Sequence, residues 1–183
     1  MTAEPQPASA PPEPAPLDIS RLFEAHAPWV HRVAQRLTGS AAAADDVVQE
    51  VFLTAHRRRD AVADRLGIRT WLYRTTVNVA RQKRRTDQRY GNVIDRFGRQ
   101  PSAPGATPEA EVSSAAHGLA VRACIQALSE TQREVFVLFE LEGVDGGEIA
   151  EILDIPINTV WSRLRLARVA FREIWLHRQG DTP

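Results

Sequence analysis

Much of what would mark the common function classes is missing from this chain. Cys124 is the one cysteine in 183 residues, so neither a disulfide framework nor a cysteine metal cage is possible. The five histidines are scattered, without the regular spacing of metal ligands. No apolar run approaches the roughly 20 residues that cross a bilayer. The proline-rich start also lacks the apolar stretch of a secretory signal, so a cytoplasmic protein without membrane insertion is expected. Formal net charge is zero, which argues against a protein that coats nucleic acid with a uniformly basic surface. No segment alternates apolar and polar residues over the length of a strand, which leaves an all-α fold as the expectation.

The charge that is present is unevenly placed. Residues 1–20 hold Glu4, Glu13 and Asp18 and no basic residue. Between Arg69 and Arg99 stand Arg69, Arg74, Arg81, Lys83, Arg84, Arg85, Arg89, Arg96 and Arg99, against Asp87 and Asp95 alone. Lys83 is the only lysine of the chain; every other cation is arginine. A second basic run covers Arg163 to Arg178. Two separate basic surfaces on a neutral chain point to two contact sites on one polyanion.

Periodicity divides the chain. Residues 1–17 carry Pro5, Pro7, Pro11, Pro12, Pro14 and Pro16 and read as a disordered or polyproline-like tail. Asp18 is a plausible N-cap for a first helix whose inner face is Leu22, Trp29 or Val30, Val33 and Leu37, and which Gly39 stops. After Ser40, Ala43, Val47, Val51 and Ala55 line one side of a second helix, with Val48 and Phe52 beside them. Asp45, Asp46, Gln49 and Glu50 stay on its other side. A third helix, from about Arg69 to Arg85, turns Leu72, Thr75 or Thr76 and Val79 inward. These make a first domain, residues 18–92. Residues 93–112 hold Gly98, Pro101, Pro104, Gly105 and Pro108 and no sustained period, the signature of a flexible linker. A helix from about Glu111 to Leu128 opens the second domain, bounded as residues 113–178 before a tail of residues 179–183. Ser129-Glu-Thr-Gln132 forms a capping box for the next helix, which Gly143 closes. Asp145-Gly-Gly-Glu148 repeats that capping logic.

The stretch from Glu148 to Arg168 reads as two short helices around a tight turn. Ile149, Ala150 and Leu153 give the first an apolar face, and Asp154-Ile155-Pro156 ends it. Asp154 stands where the turn needs a left-handed residue. Asn158 or Thr159 can cap the second helix. Val160, Leu164, Ala167, Phe171 and Ile174 form its continuous apolar stripe, which leaves Trp161, Ser162, Arg163 and Arg165 outward near its start. A helix-turn-helix lays those positions in the DNA major groove.

Four stretches together resemble the sigma-70 family of RNA polymerase sigma factors, in its extracytoplasmic-function (ECF) group, which keeps only regions 2 and 4. Asp45-Asp-Val-Val-Gln-Glu-Val-Phe52 is similar to region 2.2, and Thr70-Trp-Leu-Tyr-Arg-Thr-Thr-Val-Asn78 with its basic continuation to Arg85 resembles regions 2.3 and 2.4. Leu128 to Leu138 resembles the start of region 4, and Glu148 to Arg168 the region 4.2 helix-turn-helix. The resemblance implies that region 2 and region 4 are small helical domains on a flexible connection. It implies a subunit that binds core RNA polymerase, directs it to −35 and −10 promoter elements, and starts transcription. Asp45, Asp46, Gln49 and Glu50 match the surface that grips the β′ clamp helices; region 4 meets the β flap. Asn78 matches the position that reads an unstacked −10 base. Trp71 and Tyr73 are candidates for stacking, Trp71 equally for core packing. Arg74, Arg81, Lys83, Arg84 and Arg85 are then phosphate contacts beside the opened strand. At the −35 element, Arg163 and Arg165 are the candidates for bidentate guanine contacts. Ser162 and Thr159 suit bases or phosphates, Arg168 the backbone, and Trp161 a thymine methyl or the preceding helix. Such proteins are usually held by an anti-sigma factor, a further expected partner.

The chain departs from the family pattern at its reading edge. Asn158 replaces a common glycine, Trp161 a basic residue and Leu166 a frequent arginine, and Ala61 to Gly67 lacks the Phe-Arg-Gly type sequence common before the tryptophan helix. One alternative is a helix-turn-helix regulator that binds duplex operator DNA without being a polymerase subunit. Another, a nuclease built on Asp45, Asp46 and Glu50, suffers because adjacent carboxylates on one helix diverge and no further acid or histidine cluster completes a metal site. No catalytic residue, metal site or cofactor is therefore expected.

Overall fold

The computed structural model describes residues 18–58, 67–95 and 111–180, and apart from caps and short turns these are helical. Seven helices follow in order. They are α1 (Ile19–Thr38), α2 (Ala41–Arg57), α3 (Gly67–Asp95), α4 (Glu111–Ala127), α5 (Glu130–Phe136, continued by a π-helical turn over Val137–Leu141), α6 (Gly146–Leu153) and α7 (Ile157–Gly180). The N-terminal tail, the loop over residues 59–66, most of the expected linker (96–110) and the last three residues lie outside the described residues.

The ends are set by the chemistry expected of them. Asp18 caps α1 by accepting from the Ser20 and Arg21 amides, and Gly39 ends it in the left-handed region. Ser40 caps α2 through the Ala43 amide. The Ser129–Gln132 capping box is complete in both directions. Asp154 takes φ 55° and ψ 52° after α6, the left-handed turn residue anticipated. At two places the expected caps differ. Asp145 does cap α6 through the Gly147 amide, but Glu148 turns away to accept from Thr70. In α7 the helix already starts at Ile157, directly after Pro156, whose carbonyl accepts from the Thr159 and Val160 amides. Neither Asn158 nor Thr159 is the cap, because proline pre-sets the backbone one residue earlier.

The first three helices pack as one unit around Val30, Val33, Val47, Val51, Leu72 and Val77, all 2% exposed or less. Tyr73 joins them rather than the surface. It is fully buried, its ring 4.3 Å edge-on to Trp29, and its hydroxyl accepts from Trp29 Nε1 at 3.3 Å. The stacking role entertained for Tyr73 is thereby excluded, since a phenol with its partner inside the core has nothing to offer a base. The last four helices pack around Val135, Leu138, Ile149, Val160, Leu164 and Ala167, the last three being the stripe positions expected.

A buried cation ties α4 to α5. Arg133 is 3% exposed and donates to the carbonyls of Ile125 (3.0 Å), Gln126 (2.8 Å) and Leu128 (2.5 Å), the unpaired acceptors at the end of α4. Burial, with the nearby Arg84 charge, pushes its guanidinium down to about 10, so it stays charged at neutral pH. Replacing Arg133 by methionine leaves these buried carbonyls without donors. A loss of about 2–4 kcal/mol in unfolding free energy is expected, read as a lower urea midpoint.

Candidate nucleic-acid and polymerase interfaces

The acidic face expected on α2 is present. Asp45, Asp46, Gln49 and Glu50 are all exposed, because the alternate helix side is taken by the core. Each acid holds a light intramolecular partner: His31 Nε2 lies 3.2 Å from Asp45, Lys83 Nζ 2.6 Å from Asp46 and Arg57 Nη1 3.7 Å from Glu50. These are exposed pairs of the kind an incoming cation can replace. Lys83 therefore stands apart from the DNA-facing cations with which the sequence groups it. It sits across a groove of about 520 Å³ between α2 and α3, lined by Asp46, Gln49, Glu50 and Gln82. The Asp46 carboxylate raises its ammonium above the ordinary value. Sequence reasoning missed two apolar neighbours of this face. Leu53, 40% exposed, follows Gln49 by one turn, and Phe23, 46% exposed, packs edge-on to Phe52 at 4.9 Å. The signal available was their exclusion from the inward stripe.

Helix α3 carries Asn78 on its open side. With a 3.6-residue period, Trp71, Asn78, Gln82, Arg85 and Arg89 fall on one stripe; the last four are exposed and Trp71 is half-buried against the core. Gln82 and Arg89 are two further exposed polar positions on the stripe of Asn78 that the motif alone does not indicate. The other basic residues flank it and are already engaged. Arg81 pairs with Glu134 through two bonds, at 2.9 and 2.8 Å. Arg85 meets Glu130 at 3.1 Å and Arg74 meets Asp154 at 3.7 Å. Arg84 is half-buried and donates to the Leu37 carbonyl and the Gln126 amide oxygen, while its Nε has no partner. Burial pushes its guanidinium down. That makes Arg84 a joint between domains more than a phosphate hook.

In the helix-turn-helix, α7 shows Asn158, Trp161, Ser162 and Arg165 on one exposed face. Arg163 is half-buried on the flank, nearer the core stripe than the neighbour it was grouped with. Among the described residues neither arginine has a hydrogen-bond or ion-pair partner, so both remain available. Ser162 donates to the Asn158 carbonyl at 2.8 Å. Thr159 is half-buried in the first turn. Arg168 is spoken for: it pairs with Glu140 at 2.6 Å and lies 5.5 Å above the Phe139 ring. Trp161 adopts the second of its two expected roles. Its indole covers Gly146, where a Cβ would come within 2.5 Å of the ring, and meets Phe139 edge-on at 5.7 Å. It is still 45% exposed, so it forms the wall of the reading face as well as the contact between α6 and α7.

These two surfaces lie in segments that match known families. Residues 22–90 match the Sigma-70 region 2 family and residues 118–171 match Sigma-70, region 4. The ECF RNA polymerase sigma factor SigL of Mycobacterium tuberculosis is 34% identical over 152 residues, covering 82% of this chain and 85% of that protein. The chain belongs to the sigma-70 family, in its ECF group. The ECF RNA polymerase sigma-E factor of Escherichia coli K12 is also 34% identical, over 154 residues that cover 78% of this chain and 80% of its own. Among solved structures the fold is shared with the sigma factor RpoE in complex with the anti-sigma factor NepR from Bartonella quintana. The TM-score is 0.65 at 21% identity, over 86% of this chain and 96% of that one. It is shared too with CnrH in complex with the cytosolic domain of CnrY, at TM-score 0.63 and 23% identity, over 90% and 89% of the two chains. The region 2 match covers most of α1 to α3, and the region 4 match runs from within α4 into α7. No helix among the described residues is long and apolar enough to cross a membrane.

The Gly146–Trp161 contact yields a test internal to this sigma factor. Gly146→Ala drives a methyl into the indole and is expected to destabilise region 4 by about 1–3 kcal/mol. Trp161→Ala in the same chain makes room for that methyl, so the double variant should lose much less than the sum of the two single losses. Thermal unfolding of the four proteins measures the coupling.

Proposed function

We propose that this chain is a promoter-specificity subunit of bacterial RNA polymerase, using α2 for the enzyme, α3 for the −10 element and α7 for the −35 element. The observation that carries the reading is the order and separation of three faces on one chain. An exposed acidic helix face, an exposed asparagine on a basic helix, and a helix-turn-helix with two unpartnered arginines follow one another. Catalysis belongs to the core enzyme, so the chain itself is no enzyme, and its place of work is the cytoplasm.

Each face has a chemistry suited to its task. Asp45, Asp46 and Glu50 present carboxylates to arginines of the β′ clamp helices, releasing His31, Lys83 and Arg57 as they do so. Leu53 and Phe23 supply the apolar anchor that a ring of charges surrounds. Asn78 offers both donors and an acceptor to the edge of a base that has left the stack. Gln82 and Arg89 extend that contact along the strand, and Trp71 borders it. At the −35 element Arg165, at the centre of the open face, is the guanine reader, with Arg163 at the edge and Trp161 as an apolar wall for a thymine methyl. The stacked rings of Phe136, Phe171 and Trp175, bordered by Arg168 and Arg172, are the seat for the β flap. An anti-sigma factor would hold the same polymerase-binding faces. The fold neighbour RpoE stands in complex with an anti-sigma factor, NepR.

The experiment is promoter-dependent transcription with purified core polymerase. The chain should bind core enzyme and start transcripts from a selected promoter library. A regulator that binds duplex operator DNA would start none, and failure to associate with core would end the sigma-factor reading. Asn78→Ala should leave core binding unchanged while lowering open-complex formation at least about tenfold, read by permanganate reactivity of unpaired thymines. Loss of core binding instead would mark Asn78 as structural.

A further inference from the structure

Two hollows have an occupant in the reading above: the groove beside Asp46 and the aromatic seat of Phe171 and Trp175. A third, of about 380 Å³, has none. It opens between α1 of region 2 and α4 of region 4, with Leu141 of the π-helical turn beside it. Cavities that bind small molecules start near this size, at about 300 Å³. Glycine makes the room. A Cβ on Gly118 would meet nothing within 4 Å, so the α4 wall is bare backbone at that point. Val121, Ile125 and Leu141 make the rest of the wall apolar. Three guanidiniums stand around them, those of Arg32, Arg36 and Arg122. Arg32 and Arg36 share Glu142, whose side chain is 3% exposed, and Arg36 also donates to the Leu141 carbonyl at 3.1 Å. Arg122 is exposed and has neither a hydrogen-bond nor an ion-pair partner among the described residues.

We propose that this cavity binds a small organic phosphate. Its phosphate meets Arg122 and the outer edges of Arg32 and Arg36, and its flat apolar body lies on Val121, Ile125 and Leu141. The charge count favours an anion: three guanidiniums against one carboxylate leave two positive charges around the cavity. Guanidinium forks match phosphate oxygens two at a time, and Arg122, unpartnered, can turn to meet them. An inorganic anion would use the forks and leave the apolar wall in water; a neutral apolar molecule would do the reverse. A molecule with both parts uses the whole cavity. The π-helical turn is a second indication, since such turns are rare and frequent at functional sites. Here it puts the Leu141 side chain on the cavity and the Leu141 carbonyl on Arg36. Region 2 supplies two of the cations, and region 4 the third with the apolar wall. The ligand therefore binds an arrangement that neither domain offers alone, and favours it by its own binding free energy. None of the residues assigned to polymerase or promoter takes part, so the site stands or falls apart from the sigma-factor reading.

The test is isothermal titration calorimetry on the full chain at low salt, with naphthyl phosphate, adenosine diphosphate, inorganic phosphate and naphthol as probes. Naphthyl phosphate or adenosine diphosphate should bind with one molecule per chain, at least about tenfold more tightly than inorganic phosphate or naphthol. The same probe should raise the thermal unfolding midpoint as its concentration rises. Arg122→Glu reverses the charge of the unpartnered guanidinium and should weaken that binding at least about tenfold. Gly118→Leu fills the cavity and should abolish binding, while the better helix former keeps α4 intact. Circular dichroism and the midpoint without probe report whether each variant is folded; should Arg122→Glu lose helicity, Gly118→Leu decides. The proposal is overturned if neither organic phosphate binds, or if binding survives Gly118→Leu in a folded chain. Inorganic phosphate binding as tightly as the organic phosphates also overturns it, because that marks an adventitious ion only.

Discussion

Glu134 is the residue on which the arrangement of the two domains turns. It is 3% exposed and sits within region 4, yet its partner Arg81 belongs to region 2. A carboxylate left alone in such a place would cost several kcal/mol. The same bonds raise the Arg81 guanidinium above its ordinary value. Parting the domains must rehydrate Glu134, which makes separation a discrete event with its own cost rather than a loose drift. Glu142, its side chain 3% exposed against Arg36 and Arg32, is a second dry point, and the remaining pairs are more exposed arginines and carboxylates that can exchange partners cheaply. The seam is thus tight at two points and exchangeable at the others.

Gly39 shows how closely that seam is fitted. It ends α1 at φ +81°, and a side chain there would meet Gln126 at 2.7 Å. Gln126 in turn donates to the Arg36 carbonyl at 2.8 Å and accepts from Arg84 at 2.7 Å. The glycine that stops a helix in the first domain is thus also the notch that receives the second. Glycine as a helix stop is legible in a single sequence; its use as a notch is not, because the residue that fills it lies 87 positions away.

The same division runs through the rest of the chain. Helix order, capping residues and inward stripes follow from local rules, and the family motifs place the acidic face of α2 and the open face of α7 correctly. Three things escape because they depend on residues distant in sequence. Tyr73, part of a reading motif, is drawn into the core by Trp29, whose indole N–H needs an acceptor. Lys83, one of five cations in a run, is turned toward Asp46 because it lies on the α2 side of α3. The π-helical turn over Val137–Leu141 has no pattern in composition, yet its extra residue redirects the side chains after it. Phe139 and Glu140 can then face α7, while the Leu141 carbonyl and Glu142 face Arg36. One local irregularity serves both the helix-turn-helix and the domain seam.

The zero net charge, which at first argues against nucleic acid, takes on a different meaning in this light. The basic excess of region 2 is balanced mostly by acids of the tail, linker and C-terminus, and to a smaller degree by region 4, whose carboxylates meet it across the seam. A chain with only the cations would cling to any polyanion through phosphate contacts, with affinity that owes nothing to sequence. A chain with neither would lack the grip needed beside a melted strand. Carboxylates on the other domain give Arg74, Arg81 and Arg85 their partners in this arrangement. Among the residues the seam leaves uncovered are Asn78 on α3 and Arg163 and Arg165 on α7.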